Sequence, residues 1–212
     1  MGAPAPEPPE IRPAYRALHW LSLAGSALLY RLRAYGRERV PQGGGLLIVA
    51  NHQSFLDPPL IGAAAPRELD YFARASLFAN PIFARAISFL NAIPVDRERR
   101  ADSGAMRTAI ERLAAGRALL VFPEGRRTET GEVGPFERGF ALLARRAPAP
   151  VLPAAIDGAF RAWPRARRAP RLFVPCAVAF GRPLDPRRQD LVEAARAEVV
   201  DRLQWLRRRP AT

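Results

Sequence analysis

The chain contains no lysine, so all 33 of its basic residues are arginine. Its positive charge is therefore carried entirely by planar guanidinium forks, which grip phosphate and carboxylate through paired hydrogen bonds. There is one cysteine, Cys176. That excludes an internal disulfide framework and a multi-cysteine metal site, and makes a reducing compartment the default. There are two histidines, His19 and His52. His19 falls in an N-terminal helical pattern, so a histidine-rich zinc site cannot be assembled and no metal is expected. No Gly-x-Ser-x-Gly run occurs, so a serine nucleophile on an elbow turn is not expected and Ser54 is given no catalytic role. The chain also lacks a long apolar run. Residues 17–30 carry no formal charge if His19 is neutral, but at 1.5 Å per residue they span roughly 21 Å, against a hydrocarbon core of roughly 30 Å.

What is present fits one medium domain with a short N-terminal element. Of 212 residues, 49% are hydrophobic and 25% charged, which excludes wholesale disorder, while 22 prolines and 15 glycines imply many element boundaries. The formal net charge of +13 calls for an acidic partner. Anionic lipid headgroups, a phosphorylated substrate, an acidic carrier protein and nucleic acid all qualify, and charge alone does not choose among them.

Residues 1–13 are rich in proline and alanine and read as a flexible tail. From residue 14 a helical stripe begins, with Leu18, Leu21, Gly25, Leu28 and Leu32 on one face. With Trp20, Tyr30, Arg16 and Arg31 beside it, residues 14–40 are expected to be a membrane-docking helical element lying on the bilayer. An ordinary helix docked on the core is the alternative. A signal peptide is a weaker one, because residues 1–10 lack a basic start.

Beyond residue 40 short apolar runs alternate with helical patterns, which predicts an α/β domain over 41–212 with a mixed, largely parallel sheet flanked by helices. Strands are expected at 46–50, 69–73, 92–95, 118–122, 151–156 and 172–180. Cys176 lies in the last, where it reads as a small buried hydrophobe. The clearest helix has Asp102 or Ser103 as N-cap, apolar Met106, Ile110 and Leu113, an Arg107–Glu111 pair, and Gly116 past its end. A final helix over 186–207 carries Leu191, Ala195, Val199, Leu203 and Leu206 on one face.

Two loops hold the candidate chemistry. In the run from Asn51 to Pro58, His52 can take a proton near neutral pH and Asp57 can orient it. Equally, Asp57 can be a helix N-cap before Pro58, leaving His52 a loop histidine. The second loop, from Phe122 to Thr128, follows an apolar strand and so sits where open α/β sheets bind ligands. Glu124, Gly125, Arg126 and Arg127 there would suit a phosphate, or form a solvated surface turn. Arg97 ends a third apolar run, and a fourth, 151–158, is apolar until its last residues.

The order and spacing of these blocks resemble the glycerolipid acyltransferase family, whose best-known members are the 1-acylglycerol-3-phosphate acyltransferases. The family's Asn-His-x4-Asp block is matched by Asn51, His52 and Asp57, with Ser54 and Pro58. The second block is matched by Ile93, Pro94, Val95, Asp96 and Arg97, with Ala92 where glycine is common. The third is matched by Phe122, Pro123, Glu124, Gly125, Arg127 and Thr128, followed by Pro135, Phe136 and Gly139. The fourth, an apolar strand with a proline, is matched at 151–156 through Pro153.

The resemblance covers residues 40–185. It implies acyl transfer from acyl-CoA or acyl carrier protein (acyl-ACP) to a lysophospholipid hydroxyl, without a cofactor. His52 would be general base and Asp57 its orienter, and 1-acylglycerol-3-phosphate the acceptor. Arg97 and Arg127 would hold phosphate with Arg126 as a possible addition, Glu124 and Gly125 would shape the loop or bind the acceptor's glycerol part, and Thr128 completes the substrate loop. Arg126 stands where most members have threonine, and it adds a charge beside that site. The location implied is the cytoplasmic side of the cell membrane, on an anionic surface.

Acylation of another lysolipid or of glycerol-3-phosphate is the alternative within that class. Outside it, Arg161, Arg165, Arg167, Arg168 and Arg171, interleaved with Trp163, allow a non-catalytic membrane-binding or nucleic-acid-binding protein. No sequence-reading module accompanies that patch, so no nucleic acid is expected.

Overall fold

The computed structural model describes residues 17, 21, 24–26, 28–81, 84–85, 91–96 and 102–209. The tail expected at 1–13 lies outside these residues, as do nine residues of the helical element after it and Arg97. The described residues from 17 to 30 are helical.

Seven strands form one sheet: β1 (Arg33–Tyr35), β2 (Leu46–Ala50), β3 (Leu69–Arg74), β4 (Ala92–Val95), β5 (Ala118–Val121), β6 (Val151–Asp157) and β7 (Ala177–Phe180). Their order is β1-β7-β6-β2-β5-β3-β4. Every pair is parallel except β6 with β7. The helices described without interruption are α1 (Asp57–Ala64), α2 (Ser103–Ala114), α3 (Gly139–Arg146), the single turn α4 (Ala159–Ala162) and α5 (Leu191–Arg207). The expected mixed, largely parallel α/β sheet is what forms.

Strand β2 shows why. All five of its residues are buried, and successive side chains point to opposite faces. Leu47 and Val49 enter a core with Leu113, Leu143 and Leu203 from α2, α3 and α5. Leu46, Ile48 and Ala50 enter the other with Leu60 and Ile61 from α1. Helix α2 starts as expected, with the Asp102 side chain accepting the Ala105 N–H at 3.1 Å. In α5 the five predicted apolar residues are the buried ones. Its start moves from 186 to Leu191, because Asp185 accepts the Arg187 N–H and Arg188 pairs with Asp190, folding the preceding residues into turns.

The helical element expected over 14–40 stops short of that range. Arg33–Tyr35 is an edge strand on β7, and Arg37–Arg39 is a short 3-10 turn, so the sheet claims residues that the expected element included beyond its apolar stripe. Three residues are too few to display a period of two. They are recruited by tertiary pairing, beginning with the Arg33 N–H donating to the Cys176 carbonyl at 3.1 Å. The strand expected at 172–180 is confined to Ala177–Phe180, since Phe173 adopts φ 61° and its N–H is taken by the Leu29 carbonyl.

Gly158, just after β6, has φ 89°, and a Cβ there would stand 2.1 Å from the Pro175 carbonyl oxygen. Gly158→Ala is expected to destabilise the protein by more than about 1–2 kcal/mol, the cost of the left-handed conformation alone. Urea denaturation measures this as a lowered midpoint with an unchanged slope.

The sheet's connectivity places the site. From β2 the chain crosses to β3 on one side, while β5 returns across β2 to β6 on the other, so strand progression diverges at β2. The carboxyl end of such a strand is where open α/β sheets leave a crevice. Asn51 and His52 are the first residues past that end.

Candidate active site

Asn51 is buried and makes a two-way clasp with β6. Its Nδ2 donates to the Ile156 carbonyl at 3.0 Å, and its Oδ1 accepts the Ile156 N–H at 2.9 Å. This continues the sheet's hydrogen bonding by side chain and lets the backbone turn away at His52. The loop after β5 then holds the His52 backbone on both sides. The His52 N–H donates to Glu124 Oε1 at 2.8 Å, and the His52 carbonyl accepts the Thr128 N–H at 2.8 Å. The imidazole stacks on Phe122, with centroids 4.1 Å apart and planes 16° from parallel.

His52 Nδ1 lies 2.7 Å from Asp57 Oδ2. The same oxygen accepts the backbone N–H groups of Gln53 and Ser54 at 2.5 and 2.7 Å. Asp57 is fully buried, and burial raises its pKa, opposed by the bonds from His52, Ser54 and Gln53. An oxygen facing three nitrogen donors is best satisfied as a carboxylate, which requires the proton on His52 Nδ1. Nε2 is then the lone-pair nitrogen and the atom able to accept a proton.

Asp57 is not a helix cap. It is the first residue of α1, no side chain caps that helix, and the carboxylate turns back onto residues 52–54. Of the two readings the spacing allowed, the geometry excludes the cap and pairs Asp57 with the imidazole.

The loop from Phe122 to Thr128 divides its labour. Gly125 turns it with φ 66° and its N–H on the Phe122 carbonyl, and a Cβ there would meet Glu137 Oε1 at 2.9 Å. Both Glu124 oxygens serve backbone, Oε1 on His52 and Oε2 on the Gly134 N–H at 2.9 Å. Burial raises the Glu124 pKa, and those two donors oppose it. The Thr128 hydroxyl accepts the Gly131 N–H at 3.1 Å and so closes a turn. Arg126 is exposed, and Arg127 lays its guanidinium 3.4 Å over the Phe55 ring. Among the described residues expected to touch substrate, Arg126 and Arg127 present guanidinium groups, whereas the polar groups of Glu124 and Thr128 bond the loop itself.

Glu124→Gln separates the two roles. It leaves a backbone N–H facing an amide N–H, and is expected to cost about 1–3 kcal/mol of stability and to lower kcat with the acceptor KM little changed. A raised acceptor KM with intact kcat would instead place Glu124 on the acceptor.

Several contributors escaped the sequence reading. Gln53 is buried, donating to the Gly131 carbonyl at 3.2 Å and accepting the Phe160 N–H at 3.3 Å. Phe55 rests against Trp163, with centroids 5.2 Å apart. The Ser54 hydroxyl donates to the Trp163 carbonyl at 2.8 Å, a positioning bond and not a nucleophile's. A polar residue directly after a fully apolar strand was the available signal for Asn51; Gln53, two residues further on, carried no such mark. Cys176 is buried and its thiol is pushed up to about 12, chiefly by desolvation, which makes it unsuited to nucleophilic chemistry. Among the described residues no group of three or more His, Cys, Asp or Glu side chains is arranged to hold a metal.

A histidine oriented by a buried carboxylate thus sits at a strand's carboxyl end, beside a loop that carries Arg126 and Arg127. The chain belongs to the acyltransferase family, whose sequence profile matches residues 31–157. A 1-acyl-sn-glycerol-3-phosphate acyltransferase of Bacillus subtilis is 32% identical over 139 residues, covering 65% of this chain and 66% of that protein. One from Pseudomonas aeruginosa is 33% identical over 150 residues, covering 69% and 56%. The chain spans 40% of a chloroplastic relative from Brassica napus. The crystal structure of the 1-acyl-sn-glycerophosphate (LPA) acyltransferase PlsC from Thermotoga maritima aligns with a TM-score of 0.78 at 27% identity, over 95% of this chain and 86% of that one.

Proposed function

We propose that this protein transfers a fatty acyl group from a thioester, acyl-CoA or acyl-ACP, to the free hydroxyl of 1-acylglycerol-3-phosphate, giving phosphatidic acid. The observation that carries the proposal is the 2.7 Å contact between His52 Nδ1 and a fully buried Asp57. It leaves Nε2 as base beside the Arg127 loop. Nε2 takes the acceptor's hydroxyl proton as that oxygen attacks the thioester carbonyl. The carbon–sulfur bond then breaks, and the departing sulfur recovers the proton from the imidazolium. Asp57 stabilises the charged ring between these steps. Arg126 and Arg127 meet the acceptor's phosphate, with Arg97 as a third candidate from the second sequence block. No cofactor is required.

The acceptor is a lipid, and the surface near the site suits a bilayer. Leu21, Leu28, Phe55, Leu172 and Phe173 are exposed, as are Arg165, Arg167, Arg168 and Arg171, which precede the last two in the chain. The Phe173 N–H bond to the Leu29 carbonyl joins this loop to the N-terminal helix. Apolar side chains interleaved with arginines fit an anionic surface such as the cytoplasmic leaflet. Among the described residues no helix is long and apolar enough to cross a membrane. Trp163 spends its indole N–H on the Arg167 carbonyl at 3.0 Å and its ring on Phe55, which disfavours use of this patch for stacking nucleic-acid bases.

Incubating purified protein with acyl-CoA or acyl-ACP and a panel of lysolipids, followed by mass spectrometry, is expected to yield phosphatidic acid. Thioester consumption with a different lysolipid would reassign the acceptor, and no consumption with any would remove the activity.

A further inference from the structure

A cavity of about 470 Å³ opens at the β6–β7–β1 side of the sheet, with Thr130 and Gly131, just past the Arg127 loop, in its wall. That volume is within the range of small-molecule sites. Gln53, next in the chain to His52, lines it, so the cavity shares a wall with the catalytic loop. Its floor crosses three strands, where Arg33, Ala177 and Asp157 stand in register on β1, β7 and β6.

Five arginines line this cavity: Arg31, Arg33, Arg161, Arg207 and Arg209. The carboxylates near them are Asp157, in the wall, and Glu132. Arg207 is fixed by Glu132 at 2.8 Å and by the Gly131 carbonyl at 2.8 Å, with Asp157 at 3.6 Å. Arg161 lies 3.7 Å from Asp157. Arg209 rests 3.9 Å over the Trp205 ring and 5.1 Å over Tyr35. Arg31 and Arg33 are exposed and reach no carboxylate among the described residues. The cationic excess is thus concentrated where β1 begins. Tyr35 and Phe160 add aromatic surface to the same walls.

Guanidinium forks with aromatic faces in one concavity suit phosphates attached to a flat base. The acidic face of a carrier protein would call for a broad basic surface instead. We propose that this cavity binds the adenosine 3′,5′-bisphosphate end of a coenzyme A thioester, so that the donor approaches His52 from the β6–β7–β1 side and the acceptor's phosphate from the β5 side. This assignment rests on the acyl-transfer reading and selects its donor. Its chemistry, recognition of phosphate, is shared with anionic lipid headgroups, which the test separates.

The full chain carrying Arg31→Ala and Arg33→Ala is compared with wild type. Both side chains are exposed, so the fold is retained. The donor KM is expected to rise about tenfold or more, with kcat and the acceptor KM changed far less. Arg33→Lys in place of the alanine recovers only part of the loss. Adenosine 3′,5′-bisphosphate should compete with acyl-CoA but not with the lysolipid, and its calorimetric binding should weaken in the double variant.

An unchanged donor KM overturns the assignment while leaving acyl transfer intact. So does a variant that loses affinity for phosphatidylglycerol vesicles alone, or a wild type that accepts only acyl-ACP. If wild type consumes no thioester, acyl transfer itself fails, and absence of bisphosphate binding by calorimetry would separately dispose of the cavity's role.

Discussion

Replacing His52 with alanine is expected to lower kcat by about 10²- to 10⁴-fold, the range contributed by a positioned general base. That corresponds to roughly 3–5 kcal/mol of barrier. The fold should survive, because the bonds anchoring this residue to the loop after β5 come from its backbone: the N–H to Glu124 and the carbonyl from Thr128. Alanine keeps both. What it removes is the ring on Phe122 and the donor to Asp57, which still accepts the Gln53 and Ser54 N–H groups. A stopped assay for thioester consumption, paired with circular dichroism, measures the two effects separately. Turnover near that of wild type in folded His52→Ala protein would remove His52 as the base.

How much of this was legible beforehand depended on whether the signal was local. Strands 46–50 and 92–95 were found with their bounds, since both are unbroken apolar runs, the first buried throughout and the second at the sheet's edge. The Asp102 cap and the α5 stripe are likewise local patterns. Strand β1 was missed because its cause is β7, distant in sequence.

The site divides along the same line. His52 and Asp57 were visible as a pair, but five residues of separation are compatible with a cap or an orienter. Only the carboxylate's direction, backward onto residues 52–54, distinguishes them. The loop's Glu124 was expected either to shape the loop or to bind the acceptor's glycerol part. Its two oxygens are used on His52 and Gly134, partners 72 and 10 residues away. The ordered blocks, read together, carried the family resemblance that no one of them could, and the family match over residues 31–157 agrees with it.

Asp57→Asn is the second large effect, expected to reduce kcat by about 10²- to 10⁴-fold without unfolding the protein. Two orientations of the new amide are possible. If its oxygen replaces Oδ2, it still accepts the Gln53 and Ser54 N–H groups and keeps the proton on Nδ1, but the imidazolium formed during reaction loses its neighbouring charge. If its nitrogen faces His52, Nδ1 must become the acceptor, Nε2 carries the proton, and no base remains. Either way the residue acts through His52, so the two losses do not add: the His52→Ala, Asp57→Asn double variant should be no slower than His52→Ala by more than a few-fold. Independent losses that multiplied would mean that Asp57 serves the reaction by some other route.

The same variant has a signature in stability. Burial raises the Asp57 pKa, so the folded protein binds that proton more tightly than the unfolded chain. This contribution to stability is full below the ordinary carboxylate pKa and is lost as pH rises through the raised one. The amide introduced by Asp57→Asn cannot titrate, while Glu124, raised in the same direction, is common to both proteins. The stability of wild type relative to Asp57→Asn, measured by urea unfolding, should therefore fall as pH rises from the carboxylate range toward neutrality. A gap that widened with pH would mean that the His52 and backbone bonds outweigh burial, and that the carboxylate is stabilised by the site.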